Sequence, residues 1–336
     1  MFLKFYGLTE QPFGVTPDPR FLYLSPEHRE ALASLYYGIE SGRGFLALIA
    51  KPGTGKTTLL FHLLEKFRGD SRTAFLFQTQ CNSREFMRFL LAELGCETYE
   101  QDFVRMHDEF NKLLLQEARA GKRFIIVIDE AQNLDSSVLE TIRLLSDFET
   151  PRAKLLQIIL AGQPELADKL ASRKLSQLKQ RISVLSGLTA LSVQESSKYV
   201  DHRLRIAGYS GGPLFAPAAM RVITQVTEGI PRNINNFCFN ALSLGCALGE
   251  RMIGLSVVNE VISDLDITKH VTEIAPGLGL THEVLDRANP IASASHVVQP
   301  AVAGEAPSTL TPADAMAYMQ QFAVQLRNWK AQPGPQ

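Results

Sequence analysis

The sequence predicts an α/β protein in which a parallel sheet, covered by helices on both faces, is followed by a small all-α domain. Two observations predict this fold. Short apolar stretches alternate with amphipathic helical stretches as far as residue 191, which is typical of parallel strands joined by helices. After Ser192 the strand patterns stop and only helical patterns follow.

Residues 41–191 are predicted to form the sheet domain. Its strands are the apolar stretches Phe45–Ala50, Thr73–Thr79, Arg123–Asp129, Leu155–Ala161 and Val184–Leu191. The helices between them are predicted at Lys56–Phe67, Ser83–Leu94, Phe103–Arg119 and Val138–Phe148. Short uninterrupted apolar strands are expected where both faces of a parallel sheet are covered.

The segments on either side are predicted to be an N-terminal arm and a helical lid. Residues 1–40 are rich in proline and aromatic residues, and their prolines exclude a long helix before the one predicted at Glu27–Ile39. Residues 192–270 form the predicted lid. Its helices are expected at Gln194–Ile206, Pro217–Thr227, Arg232–Ala247 and Val257–Leu265.

The C-terminal residues are predicted to be a linker and one helix. Residues 271–310 are rich in alanine, proline, serine and glycine, which is typical of a flexible linker. Residues 311–331 begin with a helix-start pattern at Thr311–Asp314 and continue with apolar residues at helical spacing. This helix either docks a partner or folds back on the parent domain, and the sequence favours neither.

A phosphate-binding loop (P-loop) is predicted directly after the first strand, because Ala50–Thr57 matches the pattern [Ala/Gly]-x-x-x-x-Gly-Lys-[Ser/Thr]. Glycines let successive backbone N–H groups surround phosphate oxygens, and the following helix directs its positive end at them. Lys56 is expected to reach the β- and γ-phosphates of ATP, and Thr57 to bind Mg²⁺. The predicted nucleotide-binding residues are Ala50, Lys51, Pro52, Gly53, Thr54, Gly55, Lys56, Thr57 and Thr58.

Ala50 is the one irregularity in this loop, since glycine is commoner at its position. Alanine has less backbone freedom than glycine. The position is not expected to touch phosphate, and the close-approach glycines Gly53 and Gly55 are both present. Phosphate binding is therefore expected to be intact.

Polar residues follow two of the later predicted strands. Asp129 and Glu130 end an apolar strand, and we interpret them as a Mg²⁺ ligand and a general base for the attacking water. The alternative is a solvated pair that only ends the strand. Gln163 follows the next strand and is a candidate sensor of the γ-phosphate. A loop glutamine near a turn is an equal alternative.

Arginines are candidates for the site because phosphoryl transfer develops charge on phosphate oxygens. Arg181 is placed to reach a neighbouring subunit's site, with Arg173 as the second choice. Arg232 starts a lid helix and could reach back over the γ-phosphate. For each of them, a surface salt bridge is the alternative.

These motifs together resemble the ExeA/GspA-like AAA+ ATPases, which include ATPases associated with exopolysaccharide and exosortase loci. The resemblance extends to about Asp266. Besides the P-loop, it rests on Phe5–Leu8, Pro12–Phe13, Pro17–Pro19, Phe21–Tyr23, His28, Glu30–Leu32, Tyr37–Ile39, Lys56–Leu59, Ile128–Leu134, Leu156–Leu166, Gln180–Ile182, His202–Gly208 and Gly229–Asn235. It implies a P-loop NTPase (AAA+) core with a helical lid and an arm near the adenine. It also implies sensor roles for Gln163 and Arg232 and a finger role for Arg181.

The resemblance further implies ATP hydrolysis that drives or switches the assembly of an envelope secretion or exopolysaccharide export system. An ATP-dependent homo-oligomer is expected, in the cytoplasm or held at the inner membrane through a partner. No membrane span is predicted, because the apolar stretches are too short.

Two other functions stay open. One is an adaptor that docks a partner through residues 311–331. The other is an ATP-dependent DNA scaffold, as in the more distantly similar regulators of the MuB and TniB type. The formal charge of −1 gives no global basic field for DNA. The local basic candidates are Arg72, Lys122–Arg123, Arg173–Lys174 and Lys179.

Overall fold

A five-stranded parallel sheet forms the core of the first part of the chain. The computed structural model describes residues 2–14, 16–77, 80–96, 102–150 and 153–265. The predicted linker and C-terminal helix lie outside these residues. The sheet consists of β1 (Phe45–Ala50), β2 (Ser71–Leu76), β3 (Arg123–Ile128), β6 (Leu156–Gly162) and β7 (Ile182–Leu188), in the order β2-β3-β6-β1-β7. A separate antiparallel pair consists of β4 (Glu149–Thr150) and β5 (Ala153–Lys154).

Helices surround and follow the sheet. Those before residue 191 are α1 (Phe2–Tyr6), α2 (Pro26–Glu40), α3 (Lys56–Glu65), α4 (Ser83–Glu93), α5 (Phe103–Arg119), α6 (Ser136–Leu145), α7 (Pro164–Ala171) and α8 (Ser176–Arg181). The later ones are α9 (Val193–Ile206), α10 (Pro217–Val226), α11 (Pro231–Leu248) and α12 (Leu255–Asp264). Short 3-10 turns lie at Pro19–Phe21, Ala131–Asn133 and Arg173–Leu175. In the described part of the chain, no helix is long and apolar enough to cross a membrane.

The structure confirms the predicted α/β class, but several short elements were not predicted. These are α1, α7, α8 and the β4–β5 pair. Helix α1 has 5 residues and α8 has 6, too few to show a helical period in the sequence. The last strand ends at Leu188 rather than Leu191, because the chain then turns into a contact with the lid.

Both faces of the sheet are covered. On β3, Phe124, Ile126 and Ile128 belong to the main apolar cluster, which includes residues of α4, α5, α6 and α7. The alternate residues Ile125 and Val127 are equally buried. Helices α2 and α3 cover this second face; the ring of Phe61 on α3, for example, lies 4.9 Å from that of Phe75 on β2.

The N-terminal arm packs on the lid. Leu8, Phe13 and Phe21 belong to the same apolar cluster as the buried residues of α9–α12. The backbone N–H of Thr9 donates to the carbonyl of Ala207 over 2.8 Å. The arm and the lid therefore share one core, separate from the core of the sheet.

A backbone contact joins the end of the sheet domain to the lid. The N–H of Leu191 donates to the carbonyl of Gly229 over 2.8 Å. Gly229 has a φ of +64°, and a Cβ atom on it would lie 2.1 Å from the carbonyl oxygen of Leu191. Only glycine fits this junction, because any side chain would be both strained and obstructed.

We expect Gly229→Ala to destabilise the protein more than Gly249→Ala does. Gly249 has a φ of +77°, but no atom lies within 4 Å of a Cβ placed there. Both variants carry the strain of a positive φ, and only Gly229→Ala adds a backbone collision, for which about 1–3 kcal/mol more is expected. Urea unfolding of both variants measures the difference. Equal stabilities would contradict this account of the junction.

Candidate functional site

A cavity of about 250 Å³ lies between the P-loop, the N-terminal arm and the lid. The arm contributes residues between Gly14 and Tyr23, and the P-loop contributes Lys51–Thr58. Ala50 does not line the cavity and is buried as the last residue of β1. Glu130, Gln163 and Arg232 also line it. The structure thus brings most of the predicted site residues to one cavity.

Gly53 allows the lid to approach the P-loop as well as leaving room for a phosphate. Its φ is +81°, and a Cβ atom there would lie 2.8 Å from Cβ of Arg232 and 3.0 Å from Cγ2 of Ile230. The backbone N–H of Arg232 donates to the carbonyl of Gly53 over 3.1 Å. Gly55, with a φ of +100°, precedes α3 and gives the loop its second left-handed residue. The loop has the open backbone cradle that a phosphate chain requires.

Lys56 lies between the two acids that follow β3. Its Nζ is 3.1 Å from Oε1 of Glu130 and 3.6 Å from Oδ1 of Asp129. The Thr57 hydroxyl donates to Oδ2 of Asp129 over 2.6 Å. A hydroxyl and a carboxylate oxygen this close are the hard ligands that Mg²⁺ prefers, so these residues fit the ion. Burial raises the pKa of Asp129, and the nearby Lys56 ammonium and Thr57 hydroxyl only partly offset it.

Glu130 receives hydrogen bonds from three side chains. Lys56 donates to Oε1, whereas Gln163 Nε2 at 3.0 Å and Gln132 Nε2 at 2.6 Å donate to Oε2. Burial alone would raise the pKa of Glu130, but the two amide donors and Lys56 outweigh burial and lower it. Glu130 also has a left-handed backbone, with φ 52° and ψ 36°. The carboxylate is therefore held charged in a fixed direction.

Gln132 is a site residue that the sequence did not reveal. It lies two positions after Glu130, where the sequence gives no sign that the strand has ended in a turn. The 3-10 turn Ala131–Asn133 places the Gln132 amide beside the Glu130 carboxylate. Gln132 Oε1 also accepts the backbone N–H of Gln163 over 3.1 Å.

Two of the predicted arginines lie away from the cavity. Arg181, at the end of α8, forms an ion pair with Asp147 and donates to Ser146 Oγ over 2.6 Å. Arg173 is exposed on its 3-10 turn. Neither lines the cavity of its own chain.

His28 contacts the P-loop and also lines the cavity. It is 3% exposed, and its Nε2–H donates to the carbonyl of Thr54 over 3.1 Å. Its Nδ1 lies 2.8 Å from Ser25 Oγ, the N-cap of α2. Burial lowers the pKa of His28 despite the opposing effects of the Thr54 carbonyl and of Glu27 and Glu195. A neutral imidazole therefore links α2 to the loop.

A buried arginine ties the arm to the lid beside the cavity. Arg203 Nε donates to the carbonyl of Pro12 over 2.5 Å, and its guanidinium lies 4.7 Å from the ring centre of Phe21. Arg203 also donates to the Tyr199 hydroxyl over 3.0 Å, which donates to Asn235 Oδ1 over 2.7 Å. Sequence analysis assigned no role to these residues.

Comparison with known proteins agrees with this geometry. A family model described as an AAA domain matches residues 39–170. The chain is 39% identical over 255 residues to general secretion pathway protein A of Aeromonas hydrophila, a match that covers 75% of this chain and 46% of that protein. It is 28% identical over 194 residues to an uncharacterized HTH-type transcriptional regulator of Methanocaldococcus jannaschii, covering 56% of this chain and 44% of that protein. The family model and the first relative confirm the resemblance found in the sequence, although the chain spans less than half the length of either relative.

Solved structures with a similar fold include Cdc6p of Pyrobaculum aerophilum and the RuvB Holliday junction branch migration motor of Thermotoga maritima. For Cdc6p the TM-score is 0.60 at 14% identity, covering 76% of this chain and 71% of that chain. For RuvB the TM-score is 0.51 at 15% identity, covering 80% and 85%. At such low identity, these likenesses support the AAA-type fold alone.

We expect the His28→Gln variant to lose less stability in mild acid than the unaltered protein does. Because burial lowers the folded-state pKa below the usual 6.5, the unfolded chain binds the proton more readily, and stability falls as the pH drops through 6.5. Glutamine retains an N–H donor without titrating. Urea unfolding at about pH 7.5 and about pH 5.5 measures the loss. An identical loss in both proteins would show that His28 does not titrate as described.

Proposed function

We propose that this AAA+ P-loop protein, a relative of general secretion pathway protein A, binds ATP with Mg²⁺ in the cavity beside the P-loop and hydrolyses it. One observation carries the proposal: Lys56, Thr57, Asp129, Glu130 and Gln163 are joined by hydrogen bonds and ion pairs at one end of that cavity. These are a phosphate-binding cation, two oxygen ligands for a metal ion, a carboxylate base and an amide donor. Phosphoryl transfer to water requires this combination.

The P-loop would bind the phosphates through its backbone N–H groups. Lys56 would exchange its contacts with Asp129 and Glu130 for phosphate oxygens, and Arg232 would approach them from the lid. When bound, Mg²⁺ held by Thr57 and Asp129 would offset negative charge on the phosphate oxygens. The arm residues that line the same cavity would lie beside the base and sugar.

Glu130 would accept a proton from the attacking water. Its lowered pKa keeps it ionised at neutral pH, as a general base must be. Once Lys56 turns to the phosphates, Oε1 is free, while Oε2 stays hydrogen-bonded. Gln163 would turn its amide toward the γ-phosphate and so act as the sensor.

We expect Glu130→Gln to lower the rate of phosphate release by about 10²–10⁴-fold while ATP affinity is retained. The amide keeps the size of the side chain but cannot take a proton. Lys56→Ala is the contrasting variant, because it should weaken binding itself. The rate of phosphate release measures the loss of hydrolysis, and equilibrium binding of a fluorescent ATP analogue measures the loss of affinity.

Two outcomes would count against these assignments. Unchanged turnover in Glu130→Gln would remove Glu130 from the mechanism. If the unaltered protein neither binds nor hydrolyses ATP, the proposed function itself is wrong.

We further propose that sites are completed between subunits of an ATP-dependent homo-oligomer. Arg181 is 29% exposed in its side chain and pairs with the half-exposed Asp147, so it is available at the surface. Its distance from the cavity of its own chain is consistent with a role in a neighbour's site. Arg173 is the alternative for this finger role.

Mixing two inactive variants tests shared sites. We expect Arg181→Ala and Lys56→Ala proteins each to lack ATPase activity alone and to regain part of it when mixed. In a mixed oligomer, one chain supplies an intact P-loop and its neighbour an intact Arg181. Steady-state phosphate release across mixing ratios measures the recovery, with Arg221→Ala as an exposed control in place of Arg181→Ala. Mixtures that stay inactive would contradict sharing through Arg181.

We propose more finely that ATP turnover drives or switches assembly of an envelope secretion or exopolysaccharide export system. The name of the 39% identical relative supports the secretion part of this proposal. The protein would then act in the cytoplasm or be held at the inner membrane by a partner. ATPase rates measured with and without membranes from the parent cell, and with and without DNA, test it. Stimulation by DNA alone would favour the second candidate.

That second candidate is an ATP-dependent DNA scaffold, and one surface favours it. Arg173, Lys174 and Lys179 are exposed on consecutive turns around α8. Two other basic candidates already form ion pairs, Arg72 with Glu117 and Arg123 with Glu40. The name of the second relative, a transcriptional regulator, points the same way. A DNA mobility shift that needs ATP and weakens with salt would support this function.

A further inference from the structure

Gln132 connects two parts of the site through one side-chain amide. Its Nε2 donates to Oε2 of Glu130 over 2.6 Å, and its Oε1 accepts the backbone N–H of Gln163 over 3.1 Å. Both ends of the amide are therefore engaged. The carboxylate that follows β3 is tied to the backbone at the end of β6.

The amide is itself held in place. The backbone carbonyl of Gln132 accepts Lys169 Nζ from α7 over 2.5 Å. Ala131, the first residue of the turn, and Leu134, which follows it, are fully buried. A Cβ atom on Gly162 would lie 2.8 Å from Gln132 Oε1, so the absence of a side chain at Gly162 leaves room for the amide. Gln132 thus occupies a fitted space rather than an open surface.

The three donors to Glu130 differ in their relation to the nucleotide. Lys56 and Gln163 line the cavity, and both would turn toward phosphate oxygens in the proposed mechanism. Gln132 does not line the cavity and would keep its bond to Glu130. Lys56 binds Oε1, the oxygen that must become free, whereas Gln132 binds Oε2.

We propose that Gln132 is a positioning residue for ATP hydrolysis, which holds Glu130 by Oε2 so that Oε1 faces the attacking water. Through its second hydrogen bond, which it accepts from the backbone N–H of Gln163, it fixes the position of the Glu130 carboxylate relative to the end of β6. This inference rests on the proposed function, since it concerns the base of that reaction.

The main test compares Gln132→Met and Gln132→Glu with Asn133→Ala, an exposed neighbour in the same 3-10 turn. Methionine keeps the length but loses both hydrogen bonds. Glutamate keeps an acceptor oxygen, loses the donor and places a second negative charge beside Glu130. Both Gln132 variants should lower kcat by about 10²-fold, because small displacements of a catalytic group cost that much. The KM and the affinity for a non-hydrolysable ATP analogue should stay within about threefold, since Gln132 is outside the cavity. Asn133→Ala should keep the unaltered kcat.

A second measurement follows the hydrogen bond itself and does not depend on activity. Hydrogen exchange at the backbone N–H of Gln163 should be faster in Gln132→Met, where its acceptor is lost. It should be unchanged in Asn133→Ala. Thermal unfolding identifies any variant that fails to fold. If Gln132→Met does not fold, the kinetic comparison is made with Gln132→Glu.

The outcomes separate this inference from the proposed function. If the unaltered protein and Asn133→Ala hydrolyse ATP and both Gln132 variants match them, the positioning role is wrong and the proposed function stands. A fall in ATP affinity as large as the fall in kcat would also overturn positioning, because it would indicate general damage to the site. If the unaltered protein does not hydrolyse ATP, the proposed function fails first.

Discussion

The parallel pairing of β3, β6 and β1 is the constraint on which the site depends. Leu160 on β6 pairs with Ala47 on β1 and with Ile128 on β3, so the three strands end at one edge of the sheet. The P-loop, the Asp129–Glu130 pair and Gln163 each follow one of these strands. Because register in a buried parallel sheet is fixed by packing on both faces, the sheet itself brings these groups together. Any change that shifts this register would therefore displace the P-loop, the two acids and Gln163 from one another.

Those parts of the protein with a local sequence signal were predictable. The strands show as apolar runs, the P-loop has a fixed spacing, and the two acids end a strand whose interior is apolar. Short elements such as α8 gave no period to detect. His28 and Arg203 are among the residues that carry the family resemblance, but their contacts were not predicted. Arg203 donates to a carbonyl 191 positions away, and no local pattern indicates such a contact. The residues proposed to act on phosphate were therefore more predictable from the sequence than residues such as His28 and Arg203, which support the cavity.

The arm and the lid form two walls of the cavity, and the P-loop forms the third. Arg203 is buried, and within the described part of the chain it contacts a carbonyl, a hydroxyl and aromatic rings rather than a carboxylate. Such contacts can compensate a buried guanidinium because its charge is delocalised and weakly hydrated. The lid also contacts the P-loop directly at Gly53. A ligand that moves the P-loop would thus be coupled mechanically to the lid, and through Arg203 to the arm.

The left-handed backbone of Glu130 has a consequence for how this protein could be altered. A residue other than glycine or asparagine in that region costs about 1 kcal/mol or more. Asparagine or glycine at position 130 would relieve this strain. Either replacement would also remove the carboxylate and the hydrogen bonds that it accepts from Lys56, Gln132 and Gln163. In the proposed mechanism Glu130 is the base, so a substitution that relaxes the backbone at this position would at the same time abolish hydrolysis.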